Sequence, residues 1–571
     1  MHSHDIVIIG AGIGGVTLAV RLKRQLGREF VDFKIFEKTA GIGGTWRDNV
    51  YPGASSDTSI HFYSLFSDLS PDWPSTHGSQ PDTLAYWEKL ANKYNINRHI
   101  AFNTLVVSAT WDAKESVWYV VTEDAKGNQS TTKAKIVISA IGFLEVPRVP
   151  NIPGLASFRG SLFHSARWDT ELDLRNKRIA VVGNGASGTQ FIPKITQDPS
   201  VNVTNFCRTP NWYLPNIRAD YGPWKRWAFR NVPFAMRLTY IWQWCQAEML
   251  YFTVFQHRFL ASGFKKLAKG YISQTAPAEY VPHLIPNYTL GCKRLLFDNN
   301  YLAALHRPNL SLNWEGIQKV EEGGLVTRKG EKMPFDVMIF ATGFVSDRFP
   351  LDIRGQGGKS IQQYYDTQGG PKGYLGTAIP GFPNLFMLAG PNTASGHISL
   401  VYTEALQIDY IMQFVKPLLT KAVTSFEVTH AATNKYDATI QRMLSRSVFV
   451  TCNSWYRVGG TGKNTSIFPG PGMLFWWWTR QARWSDYQIT GRTGRWTRKV
   501  WGERAWWLVS RVGVLALLLR MGSPRHFDLV RSYGEILVRN LAEREGVKRV
   551  VEVVREMVVD VYGKIQSVAR V

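Results

Sequence analysis

Only four cysteines occur in 571 residues, Cys207, Cys245, Cys292 and Cys452, and no two of them form a C-x-x-C pair. That scarcity argues against a disulfide-stapled scaffold, a zinc ribbon or a dithiol redox centre. It predicts four reduced thiols in a cytoplasmic protein and no metal. Helix-turn-helix, RNA-binding and zinc patterns are also lacking, so nucleic acid ranks last among the partners suggested by a net charge of +23. An anionic cofactor and an acidic membrane surface fit the same charge. No apolar run reaches the roughly 20 residues that cross a bilayer. AWWLVSRVGVLALLL, residues 505–519, stops short and contains Arg511. The start, MHSHDIVIIG, becomes strand-like within a few residues and leaves no room for a secretory leader.

The chain is too long for one core, so two or more domains are expected. Short apolar, β-branched runs at 5–9, 33–37, 136–140, 179–182 and 336–340 read as buried parallel strands. GVTLAVRLKRQLG lies between the first two with helical spacing, which makes a strand-helix-strand unit, and the same grammar restarts at 178. The fold class is α/β, with two Rossmann-like dinucleotide-binding domains and a helical insertion. A proline-rich stretch at 139–154 and FATGF at 340–344 read as crossings between them. The expected domains are a discontinuous one of 1–144 and 341–490, an inserted one of 145–340 with an aromatic helical insertion at about 216–290, and an extension over 491–571. Residues 224–259 read as helical, aromatic and basic, suiting either a substrate-side cap or a membrane-facing surface.

Both restarts carry a glycine cradle. In Gly10-x-Gly12-x-x-Gly15 the first glycine allows the tight turn, the second admits a pyrophosphate, and the third lets helix pack on strand. Such a pattern arises by chance in about one chain in three of this composition, so its context must decide. Glu37 ends the next strand, 22 residues past Gly15. A carboxylate there binds ribose hydroxyls and repels a 2'-phosphate, which suits FAD or NAD. In Gly183-x-Gly185-x-x-Gly188 the following strand, VNVTNF, instead runs into Cys207-Arg208-Thr209. A guanidinium in place of the carboxylate favours NADP(H); the alternative is an Arg208 that merely faces solvent. Two cradles of opposite preference point to a flavin that stays and a nicotinamide that delivers hydride.

FRGSLFHSARWD, residues 158–169, matches F-x-G-x-x-x-H-x-x-x-W-[PD]. Phe158, Gly160, His164 and Trp168 coincide by chance only about once in five hundred such chains. Here the sequence resembles the Baeyer–Villiger monooxygenases, class B flavoprotein monooxygenases. GGTWRDNVYPGASSD (43–57) resembles a second family pattern, implying FAD contacts at Thr45, Trp46 and Asp57. GCKRLLFDNNYL (291–302) resembles the stretch with the active-site arginine, which implies that role for Arg294 and an NADP-phosphate contact for Lys293. CNSWYRVGG (452–460) resembles the segment whose tryptophan, here Trp455, covers nicotinamide and substrate; a core position is the other reading. FPNLFMLAGPNTASGH (382–397) resembles the late FAD-contacting loop and places Asn392 there.

The resemblance implies FAD, NADPH and dioxygen, a peroxyflavin, and insertion of oxygen beside a ketone carbonyl to give an ester or lactone. A fixed cation, Arg294, would stabilise the negative charge, with Asp57 orienting it. The fingerprint couples the domains in the family, so His164 reads as a linker or core residue rather than a proton-transfer group. The aromatic stretch favours a bulky, apolar ketone. Two other readings stand beside this one: oxygenation of sulfur or nitrogen by the same flavin chemistry, and a membrane-associated nucleotide-binding protein without turnover.

The resemblance ends near residue 487. Residues 480–526 carry ten Lys or Arg against two acids, interleaved with Trp484, Trp496, Trp501, Trp506 and Trp507. That composition suits peripheral membrane contact through the C-terminal region, or a helix packed on the protein itself.

Overall fold

The computed structural model describes residues 2–26, 32–256, 258–494 and 496–497. Contacts divide the chain into a unit of residues 1–491 and a second of 492–571. Nearly all of the second unit, including the apolar run 505–519, lies outside the described residues.

The first unit is built around two sheets. The eight-stranded sheet centres on β1 (His2–Ile9), flanked in parallel by β2 (Phe33–Phe36) and by β5 (Gln129–Ser139). Only the end of β1, Ile6–Ile9, is buried, and there it meets Phe33, Ile35 and Phe36 of β2 and Ile136–Ile138 of β5. Helix α1 (Ile13–Leu26) covers the sheet with Val16, Leu18, Ala19, Val20 and Leu22, and ends on Lys23 and Arg24, where cations complement the helix dipole. The sheet continues through antiparallel β4 (Val117–Asp124) and β3 (Thr104–Asp112). A later strand, β11 (Leu385–Met387), pairs in parallel with β5.

The second sheet has five strands, all parallel, in the order β9 (Leu310–Asn313), β8 (Asn202–Phe206), β7 (Arg178–Val182), β10 (Val337–Phe340) and β6 (Ser161–His164). Helix α2 (Ala186–Ile195) follows β7. The first sheet thus takes strands from either side of the chain interval that supplies the second.

The two proline- and glycine-marked crossings run beside each other. Arg148 N–H donates to Gly343 O (2.8 Å) and Val345 N–H to Val146 O (2.9 Å), around a bridge between Pro147 and Phe344. A stretch that carries Pro147, Pro150 and Pro153 is stiff already, and these bonds fix it to the returning chain.

Residues 224–259 do not form one helix. They break into α3 (Pro223–Asn231), α4 (Ala235–Leu250) and a π-helical turn (Tyr251–Gln256), followed by α5 (Arg258–Thr275). The first break falls at Val232-Pro233-Phe234, where Phe234 is left-handed (φ 64°), a conformation no helix continues through. Later come α6 (Leu400–Leu419), packed on α1, and α7 (Gly472–Thr479). Among the described residues no helix is long and apolar enough to cross a membrane.

The four cysteines are not all reduced thiols. Cys292 and Cys452, 160 residues apart, form a disulfide, while Cys207 and Cys245 are free. Sequence spacing detects local pairs only; here the fold brings two distant loops together.

Candidate active site

The first cradle is closed by its own backbone. Gly10 sits at φ +100°, and a Cβ at Gly15 would lie 2.1 Å from Gly10 O, so both must be glycine. Gly12 packs against Gly44, which is itself left-handed (φ +52°), so closely that a Cβ on Gly44 would lie 3.0 Å from Gly12 Cα; the turn is bare backbone, as close approach of a pyrophosphate requires. Glu37 is buried: one carboxylate oxygen accepts Ala11 N–H (2.8 Å) and the other accepts Thr39 N–H and Oγ1–H (both 2.8 Å). Glu37 therefore lies beside the cradle, at the ribose end of a bound dinucleotide. At the carboxyl ends of β5 and β11 lies a cleft whose walls include Ser139, Ile141, Gly142, Gly390 and Thr465. A ligand crevice at the carboxyl ends of parallel strands is the expected place for a dinucleotide in such a sheet. The glycine turn, the buried Glu37 carboxylate and the crevice at the strand ends together fit FAD.

Thr45 and Trp46 form a single turn after Gly44. Trp46 is buried, and its indole N–H donates to the Tyr63 hydroxyl (3.1 Å). Asn392 is left-handed (φ 56°), which asparagine tolerates, and its amide N–H groups donate to Asn464 O and Ile467 O (both 3.0 Å). It clamps the loop 389–394 to 464–467 rather than presenting a free amide to the cleft.

The second cradle is open. Gly183 is left-handed (φ +110°), a Cβ at Gly188 would meet Gly183 O at 2.8 Å, and around Gly185 nothing lies within 4 Å. Arg208 is exposed, and Thr209 receives the Asn184 amide on its carbonyl (3.1 Å). Lys293 is pushed below the usual lysine range, first by burial and then by Arg208. A lysine whose charge is disfavoured by a nearby guanidinium fits an anionic group beside it, as a 2'-phosphate would supply.

Arg294 and Asp57, 237 residues apart, meet in a bidentate pair: Nε to Oδ2 at 3.0 Å, Nη2 to Oδ1 and Oδ2 at 2.7 Å. Nη1 donates to Ser395 O (3.2 Å). The Asp57 charge raises the guanidinium further above its ordinary value. Tyr456, fully buried beside it, has its phenol pushed up to about 12 by burial, and Tyr63 is raised for the same reason. Asp57 is therefore the counterion of Arg294, because both neighbouring phenols stay neutral. His397 is pushed down to about 3 by burial and by Arg294, so it adds no second cation. The Cys292–Cys452 disulfide joins the segment that bears Lys293 and Arg294 to the loop that bears Trp455 and Tyr456.

Trp455 is half exposed and stacks on Phe143 of the first crossing (6.2 Å, 23°). In the fingerprint, Phe158 packs into the cluster with Phe206 and Phe335. A Cβ at Gly160 would meet Asp336 O at 2.3 Å. His164 is buried, packs against Phe344 of the second crossing (5.6 Å), accepts Ala166 N–H on Nδ1 (3.1 Å), and has its basicity lowered by burial. Trp168 leans on Phe191 of α2. These four residues thus pack between the paired crossings and the second sheet, away from Arg294. Sequence reading missed Tyr63, Tyr456, Ser395 and His397; all but Tyr63 fall in stretches it had singled out.

Residues 3–262 match the family model described as flavin-binding monooxygenase-like. A Baeyer–Villiger monooxygenase of Pseudomonas aeruginosa is 38% identical over 494 residues, 85% of this chain and 91% of its own. One from Streptomyces coelicolor is 33% identical, covering 86% and 93%. Among solved structures, a closed cyclohexanone monooxygenase superposes with TM-score 0.76 at 26% identity, covering 86% of this chain and 99% of its own. OTEMO in complex with FAD and NADP matches with TM-score 0.76 at 25% identity, over 85% and 99%.

Proposed function

Because the chain belongs to the Baeyer–Villiger monooxygenases, FAD- and NADPH-dependent flavoprotein enzymes, we propose that Arg294 is its catalytic cation and that its substrate is a bulky, apolar ketone. The observation that carries this reading is the Arg294–Asp57 pair with its third tie to Ser395 O. Bound FAD, reduced by NADPH, supplies the activation of dioxygen.

Asp57 fixes the guanidinium plane through two N–H groups, and Ser395 O takes one N–H of Nη1. The second N–H of Nη1 is left for the substrate. An oxygen that gains negative charge during attack on a carbonyl is stabilised by such a preset donor, because nothing must reorient as the charge develops. Arginine suits the task, since neither burial nor a neighbouring cation removes its proton. Gly10, Gly12, Gly15, Glu37, Thr45 and Trp46 hold FAD in this account. Gly183, Gly185, Gly188, Arg208, Thr209 and Lys293 hold NADPH. Trp455 shields the nicotinamide side, and Asn392 acts by holding its loop. The FAD-binding domain comprises 1–144 and 341–490, and the NADPH-binding domain 145–340.

The test supplies the purified full chain with NADPH, labelled dioxygen, and parallel panels of bulky ketones, small ketones and sulfides. Mass spectrometry should find one labelled oxygen in esters or lactones from the bulky ketones. Labelled sulfoxides with no ester from any ketone would overturn the proposal.

A further inference from the structure

Helix α4 carries apolar side chains on both sides: Tyr240, Trp244 and Ala247 pack inward with Phe62 and Ile398. Its buried positions are Tyr240, Gln243 and Glu248. Gln243 accepts Phe62 N–H (3.0 Å) and Glu248 accepts Met473 N–H (3.0 Å). Its outward positions are mostly apolar: Leu238 and Trp242 are each 64% exposed and Met249 is 60%, with Ile241 exposed between the first two and Arg237 and Gln246 beside them. These positions recur at three- and four-residue steps, so they share one face. A helix bordering water turns its apolar stripe inward. A contiguous stripe turned outward marks a surface built to meet something apolar.

The surface continues onto α7. The Glu248–Met473 bond sets the two helices together, and the Tyr251 hydroxyl adds a second tie to Pro469 O (2.9 Å). On α7, Met473 and Trp477 are each 52% exposed, beside exposed Trp476. Cations border this face: Arg237 lies over Phe234 (5.9 Å) and Arg480 over Trp477 (3.6 Å). Residues 222–270 contain eight Lys or Arg and one acid, Glu248, which is buried. Tryptophan and aliphatic side chains on one face, with arginine and lysine around it, suit the headgroup region of an anionic bilayer. A second copy of this chain would instead bring the same positive rim against it.

We propose that α4 and α7 form a docking surface for an anionic membrane, from which the enzyme draws a lipophilic ketone. The substrate half of this proposal rests on the ketone reading above. A narrow gap beside α7 is lined by Ser395, Ile398, Tyr402, Phe468, Gly472 and Phe475. Ser395 O is the carbonyl that receives Arg294 (3.2 Å), and Gly472 and Phe475 belong to α7. The outward-facing α7 thus lies next to the loop that ties down the site arginine, so a molecule drawn from the bilayer would arrive on the side of the protein that holds Arg294.

The full-length holoenzyme can be sedimented with vesicles of phosphatidylcholine alone and of phosphatidylcholine mixed equally with phosphatidylglycerol. It should pellet with the anionic vesicles and be partly released by salt. The triple variant Leu238→Gln/Trp242→Gln/Met249→Gln and, independently, Trp476→Gln/Trp477→Gln should each lower partitioning about tenfold. Both should keep their flavin and turn over a small water-soluble ketone within about twofold of the wild type, but lose turnover of a long-chain ketone dissolved in the bilayer. The docking proposal is overturned by a wild type that stays in the supernatant, or by variants that pellet as it does, which would place binding elsewhere in the chain. It is also overturned by light scattering that shows a wild-type dimer split by the substitutions. Vesicle binding lost in the variants, with no ketone oxidised by any form, would keep the docking surface and refute the ketone reading instead.

Discussion

The two glycine cradles share a strand-turn-helix grammar and differ in what surrounds the turn. Around the first, Gly12 faces a second backbone at Gly44 and Glu37 is buried with three hydrogen bonds. Around the second, Gly185 faces open space and the nearby charges are an exposed Arg208 and Lys293. A closed, hydrogen-bonded cradle suits a cofactor that stays through many turnovers. An open cationic one suits a carrier that must arrive and leave. The same motif thus serves residence or exchange according to its walls.

Breaking the closed cradle should have the largest effect. Gly15→Ala drives a Cβ into Gly10 O at 2.1 Å, so the variant should lose FAD and on the order of 3–5 kcal/mol of stability, read from flavin absorbance and denaturant unfolding. Arg208→Ala should come next, raising KM for NADPH about thirtyfold while KM for NADH stays within about twofold. Gly185→Ala meets nothing in the protein and keeps an extended φ of −76°, so it should fold and retain FAD. Its added methyl fills space meant for phosphate, so KM for NADPH and NADH should rise together, about tenfold.

The smallest effect concerns Glu404, whose carboxylate lies near α1 behind the first cradle: a Cβ at Gly14 would come within 3.2 Å of its Oε1. Burial pushes its carboxyl from 4.5 up to about 8. The folded state therefore holds a proton that the unfolded state releases between those values. Its contribution is full below 4.5 and declines as pH rises through about 8. Glu404→Gln should abolish that decline, making the variant more stable than wild type at pH near 8 by on the order of 1–3 kcal/mol, measured from denaturant midpoints.

What the sequence made legible was local. β1, β2, β7 and β10 are short buried runs beside glycine turns, and their residues alone specify a parallel strand. β3 and β4 went unread because they alternate buried and exposed positions, as Val106, Ala109 and Trp111 do, rather than running apolar throughout. The Arg294–Asp57 pair spans 237 residues, and only family resemblance named both members. Tyr63 carried no signal, because a tyrosine that flanks a distant arginine looks like any core tyrosine, and Tyr456 was passed over beside Trp455 for the same reason. The Cys292–Cys452 bond was misread for a related reason: spacing arithmetic cannot see two loops folded together. Residues 224–259 were correctly read as aromatic and basic, but which of these side chains α4 turns outward became visible only in the fold.

The most direct test of the account separates its two halves in Arg294→Ala. Under anaerobic conditions NADPH should bleach the flavin of wild type and variant at rates within about fivefold, since both cradles are untouched. On admission of labelled dioxygen with an accepted ketone, wild type should yield labelled ester, while the variant yields about a thousandfold less and releases hydrogen peroxide. Labelled ester from the variant at the wild-type rate would contradict the role given to Arg294.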